Sequence, residues 1–396
     1  MLIFVLNAGS SSLKYQLIDI KSKELKASGL VERIGIDGIL KHEIGENKKI
    51  TFELPIPTHK EAIELVLRIL TNDETKVINS IDEIKAIGHR VVHGGEYFKG
   101  SVIVDDEVIR KIEELIPLAP LHNPANILGV KICQELMPKV PNVVTFDTAF
   151  HQTMPMENFL YAVPYADYTE HHLRKYGFHG TSHYYVSQEA IKLLNKKDSK
   201  VIVCHLGNGS SVCAVKDGKS ISTSMGLTPL EGLVMGTRSG DIDAGVIPYL
   251  MEKKGLSHTQ ILDYLNKKSG ILGVSGVSSD LREVIKAAND GDKRSKIAIT
   301  MLCDRIKKYL CSYAGLMHGV DAICFTAGIG ENSDLIREKV CEGLEFMGIE
   351  IDKDKNSKRE KGNKEINTKN SKTKIFVIPT NEELVIATDT YNLLKK

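Results

Sequence analysis

The sequence lacks a long apolar run and an excess of either charge. No stretch approaches the roughly 20 apolar residues that a helix needs to cross a bilayer. The formal net charge is +1, with 52 Lys and Arg residues against 51 Asp and Glu residues. A membrane span leaves a long apolar run and a nucleic-acid surface leaves a basic excess, so neither a membrane nor a nucleic acid is an expected partner.

Two further absences concern the cell compartment. The first six residues contain no basic segment ahead of their apolar run, so we expect no secretory signal. The seven cysteines form no Cys-x-x-Cys pair, and several lie in apolar segments, such as Cys204 and Cys324. We therefore expect reduced, buried cysteines and a cytoplasmic protein.

Two common phosphate-binding fingerprints are also missing. There is no Gly-x-x-x-x-Gly-Lys-Ser/Thr loop, and no Gly-x-Gly-x-x-Gly follows a strand. A phosphate site in this chain needs a different glycine-rich turn.

Such turns occur in a repeat, because the segment 201–212 resembles the start of the chain at an offset of 200 residues: the matched residues are Leu6, Gly9, Ser10 and Ser11 with Leu206, Gly209, Ser210 and Ser211. Each copy reads as an apolar strand, a turn of Asn, Gly and Ser, and a second strand. A chain of 396 residues is too long for one core. We therefore predict two similar α/β domains that face each other across a cleft, each presenting one glycine-serine turn to the phosphates of a nucleotide.

Apolar spacing predicts several further helices and strands. Helices are expected near 59–70, 106–116, 124–136, 258–267, 280–288 and 293–317. Short buried strands are expected at 143–146 and 322–325. The second strand is expected to end in a glycine turn, 326–332, that presents backbone N–H groups to an anion ahead of a helix from Ser333. The polar segment 353–374 reads as a solvated surface loop.

Three basic residues are candidates for phosphate or carboxylate contacts. Lys14 follows the first turn and could reach a phosphate, although a solvated strand lysine is the alternative. Arg90 and Arg238 are flanked by glycines, away from charged helix faces. The planar guanidinium suits a carboxylate or a phosphoryl group. A structural salt bridge is the alternative for each arginine.

Further candidates for chemistry are one aspartate, two histidines and one glutamate. Asp147 ends a buried strand and either faces the cleft or caps a helix. His179 and His183 have the spacing of a zinc pair, but Gly180 is a poor helix residue and no Glu lies between them, so a donor to an anion is favoured. Glu382 could hold Mg²⁺ or simply begin a helix, and the local sequence does not decide.

At these residues the chain resembles the acetate kinase family, within the acetate and sugar kinase/Hsc70/actin superfamily, over essentially its whole length. The motifs that carry the resemblance are Asn7–Lys14, Gly88–Gly95, Phe146–Pro155, Gly177–His183, His205–Ser211 and Thr380–Glu383. It implies a duplicated actin-like (ribonuclease H-like) α/β fold with an interdomain active-site cleft. The implied domains are 1–148 plus 384–396, and 149–383.

The resemblance also implies roles for individual residues. Asn7 and Glu382 would hold Mg²⁺, for which Mn²⁺ could substitute. Arg90 would bind the substrate carboxylate, with Val92, Leu121, Phe178 and Pro229 around its methyl group. Asp147, His179 and Arg238 would be catalytic. The implied nucleotide contacts are Lys14, His205, Leu206, Gly207, Asn208, Gly209, Asp280, Leu281, Arg282, Gly328, Ile329, Gly330, Glu331 and Asn332. Leu281 departs from the family pattern, which has Phe there.

The implied activity is a phosphotransferase with a carboxyl acceptor: reversible, Mg²⁺-dependent and direct transfer from ATP to acetate, in a homodimer. A carboxylic acid is already ionised at neutral pH, so Asp147 has no proton to remove and we expect it to position Mg²⁺ or a water-linked hydrogen bond. Propionate kinase is the nearest alternative. A non-enzymatic ATP-binding module of the actin and Hsp70 type would leave Arg90, His179 and Arg238 without a role. A sugar kinase would need a more polar substrate pocket.

Overall fold

A computed structural model describes residues 1–45 and 48–395. The chain divides into two compact units. Unit 1 contains Met1–Phe150 and the segment that starts at Asn381, and unit 2 is His151–Thr380. Glu382 belongs to unit 1 in this division, whereas the domain limits expected from the sequence stay a prediction.

Unit 1 is built on an eight-stranded sheet. Its strands are β1 (Leu2–Ala8), β2 (Ser12–Asp19), β3 (Glu24–Glu32), β4 (Ile39–Ile44), β5 (Lys48–Glu53), β6 (Ile84–Val91), β7 (Val102–Ile103) and β8 (Asn142–Phe146). Its helices are α1 (His59–Thr71), α2 (Asp106–Glu114), α3 (Asn123–Leu136) and the closing helix Glu382–Leu394.

Unit 2 contains a six-stranded sheet and most of the helices. Its strands are β9 (Lys200–Leu206), β10 (Ser210–Lys216), β11 (Lys219–Thr223), β12 (Ala322–Thr326), β13 (Lys364–Glu365) and β14 (Lys374–Val377). Its helices are α4 (Met156–Phe159), α5 (Tyr165–His171), α6 (Gly180–Leu194), α7 (Val246–Lys254), α8 (His258–Lys267), α9 (Gly270–Ser275), α10 (Leu281–Asn289), α11 (Lys293–Leu316), α12 (Ala327–Asn332), α13 (Asp334–Cys341) and α14 (Lys353–Ser357). The closing helix is α15.

The two sheets share a five-strand core of the same topology. In unit 1 the order is β3-β2-β1-β6-β8, and in unit 2 it is β11-β10-β9-β12-β14. In each, the first three strands are antiparallel neighbours, and the last two run parallel to the first strand of the unit. The predicted duplicated α/β fold is therefore confirmed.

The two hairpins nevertheless differ in register. The last pair of the first hairpin is Ala8 with Leu13, whereas the last pair of the second is Leu206 with Ser210. The second turn is therefore tighter, and it is closed by Ser210 Oγ, which accepts a hydrogen bond from the N–H of Gly207 at 3.1 Å. Ser211 consequently lies inside a strand, although its sequence partner Ser11 lies in the first turn.

Both central strands are buried on both faces. In β1, Phe4 and Leu6 belong to the core under α1 and α3, while Ile3 and Val5 pack with Ile386 of α15. In unit 2, α11 packs on one side of β9 and β10, and α6 also packs against β9 and β12. Continuous apolar strands are typical of sheets covered on both faces.

Two expectations from the sequence are corrected. The glycine segment after β12 is the short helix α12, because the Glu331 carboxylate accepts from the N–H of Ala327 at 2.8 Å and Arg337 donates to the carbonyl of Gly330 at 2.8 Å. The polar segment 353–374 contains α14 and β13 and has a buried asparagine, Asn356, which accepts a 2.7 Å hydrogen bond from Arg337.

Two properties of the described residues complete the fold. No helix within 1–45 and 48–395 combines the length and the apolar character that a bilayer crossing needs. The seven cysteines are unpaired; six of them are buried, and Cys311 is partly exposed.

The contact between β6 and α15 leads to a stability prediction. A Cβ atom at Gly88 would lie 2.6 Å from Ile386 Cγ2 and 2.8 Å from Thr390 Oγ1. Gly88→Ala should lower the free energy of unfolding by about 1–3 kcal/mol, the usual cost of overpacking, as measured by urea denaturation. Gly100→Ala is the matched control, because nothing lies within 4 Å of its added Cβ. Equal stability of the two variants would contradict this packing.

Candidate active site

The candidate site residues of unit 1 lie at the carboxyl ends of its parallel strands. Asn7 lies near the end of β1, Arg90 near the end of β6, and Asp147 directly after β8. Glu382 is the first residue of α15. The carboxyl ends of parallel strands share one edge of a sheet, where α/β proteins bind ligands.

Arg90 and Asp147 form a two-pronged ion pair. Arg90 Nε donates to Asp147 Oδ1 at 2.9 Å, and Nη2 donates to Oδ2 at 2.5 Å. The Asp147 carboxylate is buried, while 23% of the Arg90 side chain is exposed. Asp147 is thus not a helix cap, and the salt-bridge alternative for Arg90 is realised. Among the described residues nothing accepts from Nη1, so the guanidinium keeps donors for a ligand while Asp147 fixes its plane.

Two further carboxylates stand beside this pair. Glu382 and Glu383 line a small cavity of about 40 Å³ with Asn7, Lys14 and Arg90. Burial raises the pKa of Glu382 to about 7, and the charges of Asp147 and Glu383 act in the same direction, against Arg90 and Lys14. The carboxyl group therefore lies where an added cation would stabilise its ionised form.

Lys14 is bound to a residue that the sequence analysis did not single out. Its ammonium forms an ion pair with Glu383, and about half of the lysine side chain is exposed. Lys14 is therefore not a fully solvated lysine, because its ammonium already pairs with a carboxylate of the chain itself. Glu383 was missed because the two residues are 369 positions apart and only the packing of α15 brings them together.

The expected methyl-pocket residues are divided between the units. Val92 is buried, and its N–H donates to Asn126 Oδ1 at 3.0 Å. Asn126 Nδ2 in turn donates to the carbonyl of Ala8 at 2.7 Å, so this asparagine, which the sequence did not reveal, joins the ends of β1 and β6. Leu121 is 69% exposed. In unit 2, Phe178 is buried and Pro229 is partly exposed.

In unit 2, His179 precedes α6 in the left-handed conformation, with φ of 56°. His151 fixes the chain before it through a 3.0 Å hydrogen bond between its Nε2 and the carbonyl of Phe178. The His179 ring stacks on His205 at a centroid distance of 4.1 Å. His179 Nδ1 and His183 Nε2 both face the hydroxyl of Ser211, so these atoms are engaged by a serine and not by a shared metal ion.

Arg238 lies close to the second glycine-serine turn. A Cβ at Gly209 would lie 3.4 Å from Arg238 Nη1 and 3.7 Å from His179 Nε2, so the glycine leaves room beside both groups. Nη1 also donates to the carbonyl of Pro229 at 3.1 Å. Burial lowers the pKa of Arg238 from its ordinary value, although an arginine remains charged at neutral pH.

The remaining nucleotide candidates lie in three places in unit 2. Leu206, Gly207 and Asn208 form the end of β9 and its turn. In α12, Glu331 and Asn332 line a polar cavity of about 320 Å³ that α13 and α14 also line, together with the segment after α14. Gly328, Ile329 and Gly330 complete this helix. Its N-terminal N–H, that of Ala327, is already bound by Glu331, so that group is not directed at an anion.

The third place is the start of α10. Asp280 caps this helix by accepting from the N–H of Arg282, and the two side chains also form a two-pronged pair on the surface. Arg282 lowers the pKa of Asp280 to about 2. Leu281 between them is buried, so its side chain is part of the core of unit 2 in this structure.

Within residues 1–45 and 48–395, no group of three or more His, Cys, Asp or Glu side chains is arranged to hold a metal ion. Magnesium sites commonly use one or two carboxylates and complete their coordination with water and substrate phosphates. Glu382 with Asn7 fits that pattern.

Comparisons with known proteins agree over the full length of the chain. Residues 2–388 match the sequence profile described as the acetokinase family. The acetate kinase of Treponema denticola is 56% identical over 398 aligned residues, covering 100% of both chains. The crystal structure of Porphyromonas gingivalis acetate kinase matches with a TM-score of 0.95 at 48% identity, covering 99% of both chains. A propionate kinase from Francisella tularensis matches with a TM-score of 0.93 at 46% identity, covering 99% of both chains.

The raised pKa of Glu382 predicts how stability depends on pH. In the folded chain without ligands the proton is retained up to about pH 7, whereas the ordinary value is 4.5. The unfolded state therefore binds fewer protons between these values, and the free energy of unfolding should fall as pH rises through this window.

Glu382→Gln should flatten this slope in urea titrations between pH 5 and about 7.5. Glu135→Gln, at an exposed position of unit 1 that pairs with Lys60, is the control and should retain the slope of the parent protein. A Glu382→Gln variant with the parent's pH dependence would contradict the buried, protonated carboxyl.

Proposed function

Because the chain belongs to the acetokinase family, we propose that it catalyses reversible transfer of the terminal phosphoryl group of ATP to acetate, forming acetyl phosphate and ADP. The observation that carries the proposal is the fixed Arg90 guanidinium, held by Asp147 on one edge and with Nη1 left for an anion. This arrangement suits a small carboxylate.

Arg90 would bind the acetate carboxylate. Val92, two residues further along the chain and buried, would contact the methyl group. We assign Leu121, Phe178 and Pro229 to the same apolar contacts. An apolar pocket discriminates one added methylene by only about 1–3 kcal/mol, so propionate should be a poorer but measurable substrate.

The carboxylates of unit 1 are suited to binding a divalent cation. We propose Mg²⁺, with Mn²⁺ as a possible substitute, held by Glu382 and Asn7. When bound, the ion would neutralise phosphate charge. The surrounding residues favour cation binding at Glu382. Burial and the negative charges of Asp147 and Glu383 destabilise the ionised carboxylate of Glu382, and a bound cation would stabilise it.

His179 and Arg238 would stabilise the transferring phosphoryl group. Their Nε2 and Nη1 atoms approach the same position beside Gly209. Phosphoryl transfer depends mainly on positioning and on charge stabilisation at the equatorial oxygens. We therefore propose direct in-line transfer, with acetate oxygen attacking phosphorus as the bond to the ADP oxygen breaks.

The nucleotide would be bound by unit 2, with Lys14 of unit 1 near its phosphates. The turn His205–Gly209 would contact phosphate, while Asp280–Arg282 and Gly328–Asn332 would contact the nucleoside. The polar cavity of about 320 Å³ beside α12 supports this assignment, since it provides concave space next to the second group. We further propose a cytoplasmic homodimer.

Propionate kinase is the second candidate, favoured by the propionate kinase structure that matches at 46% identity. The two activities share every step above and differ only in the methyl pocket.

The first experiment measures Mg-ATP turnover with acetate, propionate, butyrate and glycerol, trapping acyl phosphate with hydroxylamine.

Acyl hydroxamate should form fastest from acetate and more slowly from propionate, with none from glycerol. A higher rate with propionate would identify propionate as the preferred substrate and would leave the proposed mechanism unchanged. ATP hydrolysis without hydroxamate from any acid would contradict the proposed function.

A second prediction concerns Asp147. Asp147→Asn replaces the charged hydrogen-bond partner of Arg90 by a neutral one. A hydrogen bond to a charged group contributes about 1.5–3 kcal/mol. The KM for acetate should therefore rise at least about tenfold, since 1.4 kcal/mol is a factor of ten. Steady-state kinetics at saturating ATP measure it.

Asp37→Asn disrupts a similar two-pronged arginine pair, that of Arg33 on the surface of unit 1, and should leave the KM unchanged. An unchanged KM for acetate in Asp147→Asn, together with weaker apparent Mg²⁺ affinity, would instead assign Asp147 to positioning the metal ion.

A further inference from the structure

The segment Val92–Gly95, which follows β6, is held mainly by side chains. Each of its four backbone N–H groups donates to a side-chain atom at 3.0–3.2 Å; the acceptors are, in chain order, Asn126 Oδ1, Asn123 Oδ1, Thr148 Oγ1 and His93 Nδ1. The position of this segment therefore depends on individual residues. Its first residue, Val92, is the one proposed to contact the acetate methyl group.

Val92 lies where two parallel strands have stopped pairing. The pairing of β1 with β6 ends at Leu6 with His89, so Ala8 and Val92 lie beyond it. The carboxamide of Asn126 joins them, because its Oδ1 accepts from the N–H of Val92 at 3.0 Å and its Nδ2 donates to the carbonyl of Ala8 at 2.7 Å. This side chain thus continues the link between β1 and β6 past the end of their backbone ladder.

The two partners determine the orientation of the carboxamide. A carbonyl oxygen only accepts hydrogen bonds, and a backbone N–H only donates. The carbonyl of Ala8 therefore has to face the NH₂ group of Asn126, and the oxygen of the same amide has to face Val92. The opposite orientation would leave two buried backbone groups unsatisfied, which is strongly unfavourable.

Helix α3 holds Asn126 in this position. The residue is buried. Gly129, one turn later, lies so close to β1 that an added Cβ would be 3.0 Å from Ala8 Cβ. Asn123, one turn earlier, donates through Nδ2 to the carbonyl of His93 at 3.1 Å. Residues one turn apart share a helix face, so one face of α3 contacts both the end of β1 and the segment after β6.

The two proposed contacts of acetate are therefore fixed by different elements. The Arg90 guanidinium is oriented by Asp147, directly after β8. The backbone of Val92 is fixed by Asn126 of α3. A shift at Val92 would thus change the room for the methyl group without releasing Arg90 from its ion pair.

We propose that Asn126 is a positioning residue that sets the size of the methyl pocket by fixing the backbone of Val92. It acts through Val92 and not on the substrate itself. An apolar pocket discriminates one methylene only weakly, so a small displacement of Val92 is enough to change the preference between acetate and propionate. This preference rests on the proposed function, whereas the anchoring of Val92 does not.

Amide hydrogen exchange tests the anchoring and needs no substrate. The full-length protein, carbon-deuterated and labelled with ¹⁵N-valine, is followed by ¹H–¹⁵N NMR, with the Val92 signal assigned by Val92→Ala. In Asn126→Ala the Val92 amide loses its acceptor, so its exchange rate relative to that of Val5, in the centre of β1, should rise at least about tenfold. An unchanged relative rate would overturn the anchoring.

Steady-state kinetics with acetate and propionate test the consequence for specificity. In Asn126→Ala the ratio of kcat/KM for acetate to kcat/KM for propionate should fall about 3- to 10-fold, within the range that one methylene supports. A residue with a merely structural role would lower both values together. A loss of activity with an unchanged ratio would therefore overturn the role of Asn126 in specificity.

Asn126→Asp is the conservative variant, and it keeps the test decisive if Asn126→Ala folds poorly. Aspartate has nearly the same shape and retains an oxygen for the N–H of Val92, although it removes the NH₂ donor to Ala8. The relative exchange rate of Val92 and the substrate ratio should stay close to those of the parent. Changes as large as those expected of Asn126→Ala would overturn the proposal.

Thr75→Val is the matched control for lost stability. Thr75 is buried in unit 1, and its hydroxyl donates to the carbonyl of Ile69 of α1 at 2.7 Å. The variant should lower the free energy of unfolding and change neither the exchange rate of Val92 relative to Val5 nor the substrate ratio. A fall in the ratio equal to that in Asn126→Ala would overturn the assignment of the effect to Asn126.

Discussion

The packing of α15 against β1 and β6 is the contact on which the rest of unit 1 depends. It covers the sheet face formed by Ile3 and Val5, and it places Glu382 and Glu383 at the ends of the strands that carry Asn7 and Arg90. One apolar contact thus completes the core and assembles the ionic cluster. The close approach at Gly88 explains why this position carries no side chain.

The duplicated strand core supports different chemistry in each unit. In unit 1 the strand ends carry carboxylates and one fixed guanidinium, a set suited to a cation and a small carboxylate. In unit 2 the corresponding region carries histidines, a hydroxyl and Arg238, a set of hydrogen-bond donors suited to phosphate oxygens. The topology fixes where side chains emerge, and the residue types decide what they bind.

Local patterns in the sequence were sufficient for the duplicated fold and for the central strands β1 and β9, because burial on two faces leaves a strong apolar signal there. They also predicted most of the long helices, but they missed α6 and α7 and the strands from β3 to β7. Other features depend on distant residues. The helix at Gly328 forms because Glu331 and Arg337 satisfy its backbone, although glycine disfavours helices. The pairs Lys14–Glu383 and Arg90–Asp147, and the buried link made by Asn126, likewise join segments whose spacing in the sequence gives no signal.

The discontinuity of unit 1 has a consequence for synthesis on the ribosome. After Phe150 the 230 residues of unit 2 are made before Asn381 appears. At about 5–20 residues per second, the incomplete sheet waits on the order of 10 to 50 seconds for α15. During that interval Ile3, Val5 and Ala86 lack their covering helix, so the nascent chain is a natural client for chaperones that shield apolar surface. Unit 2, which is continuous in sequence, has all of its residues available first and can fold ahead of the unit that contains the N-terminus.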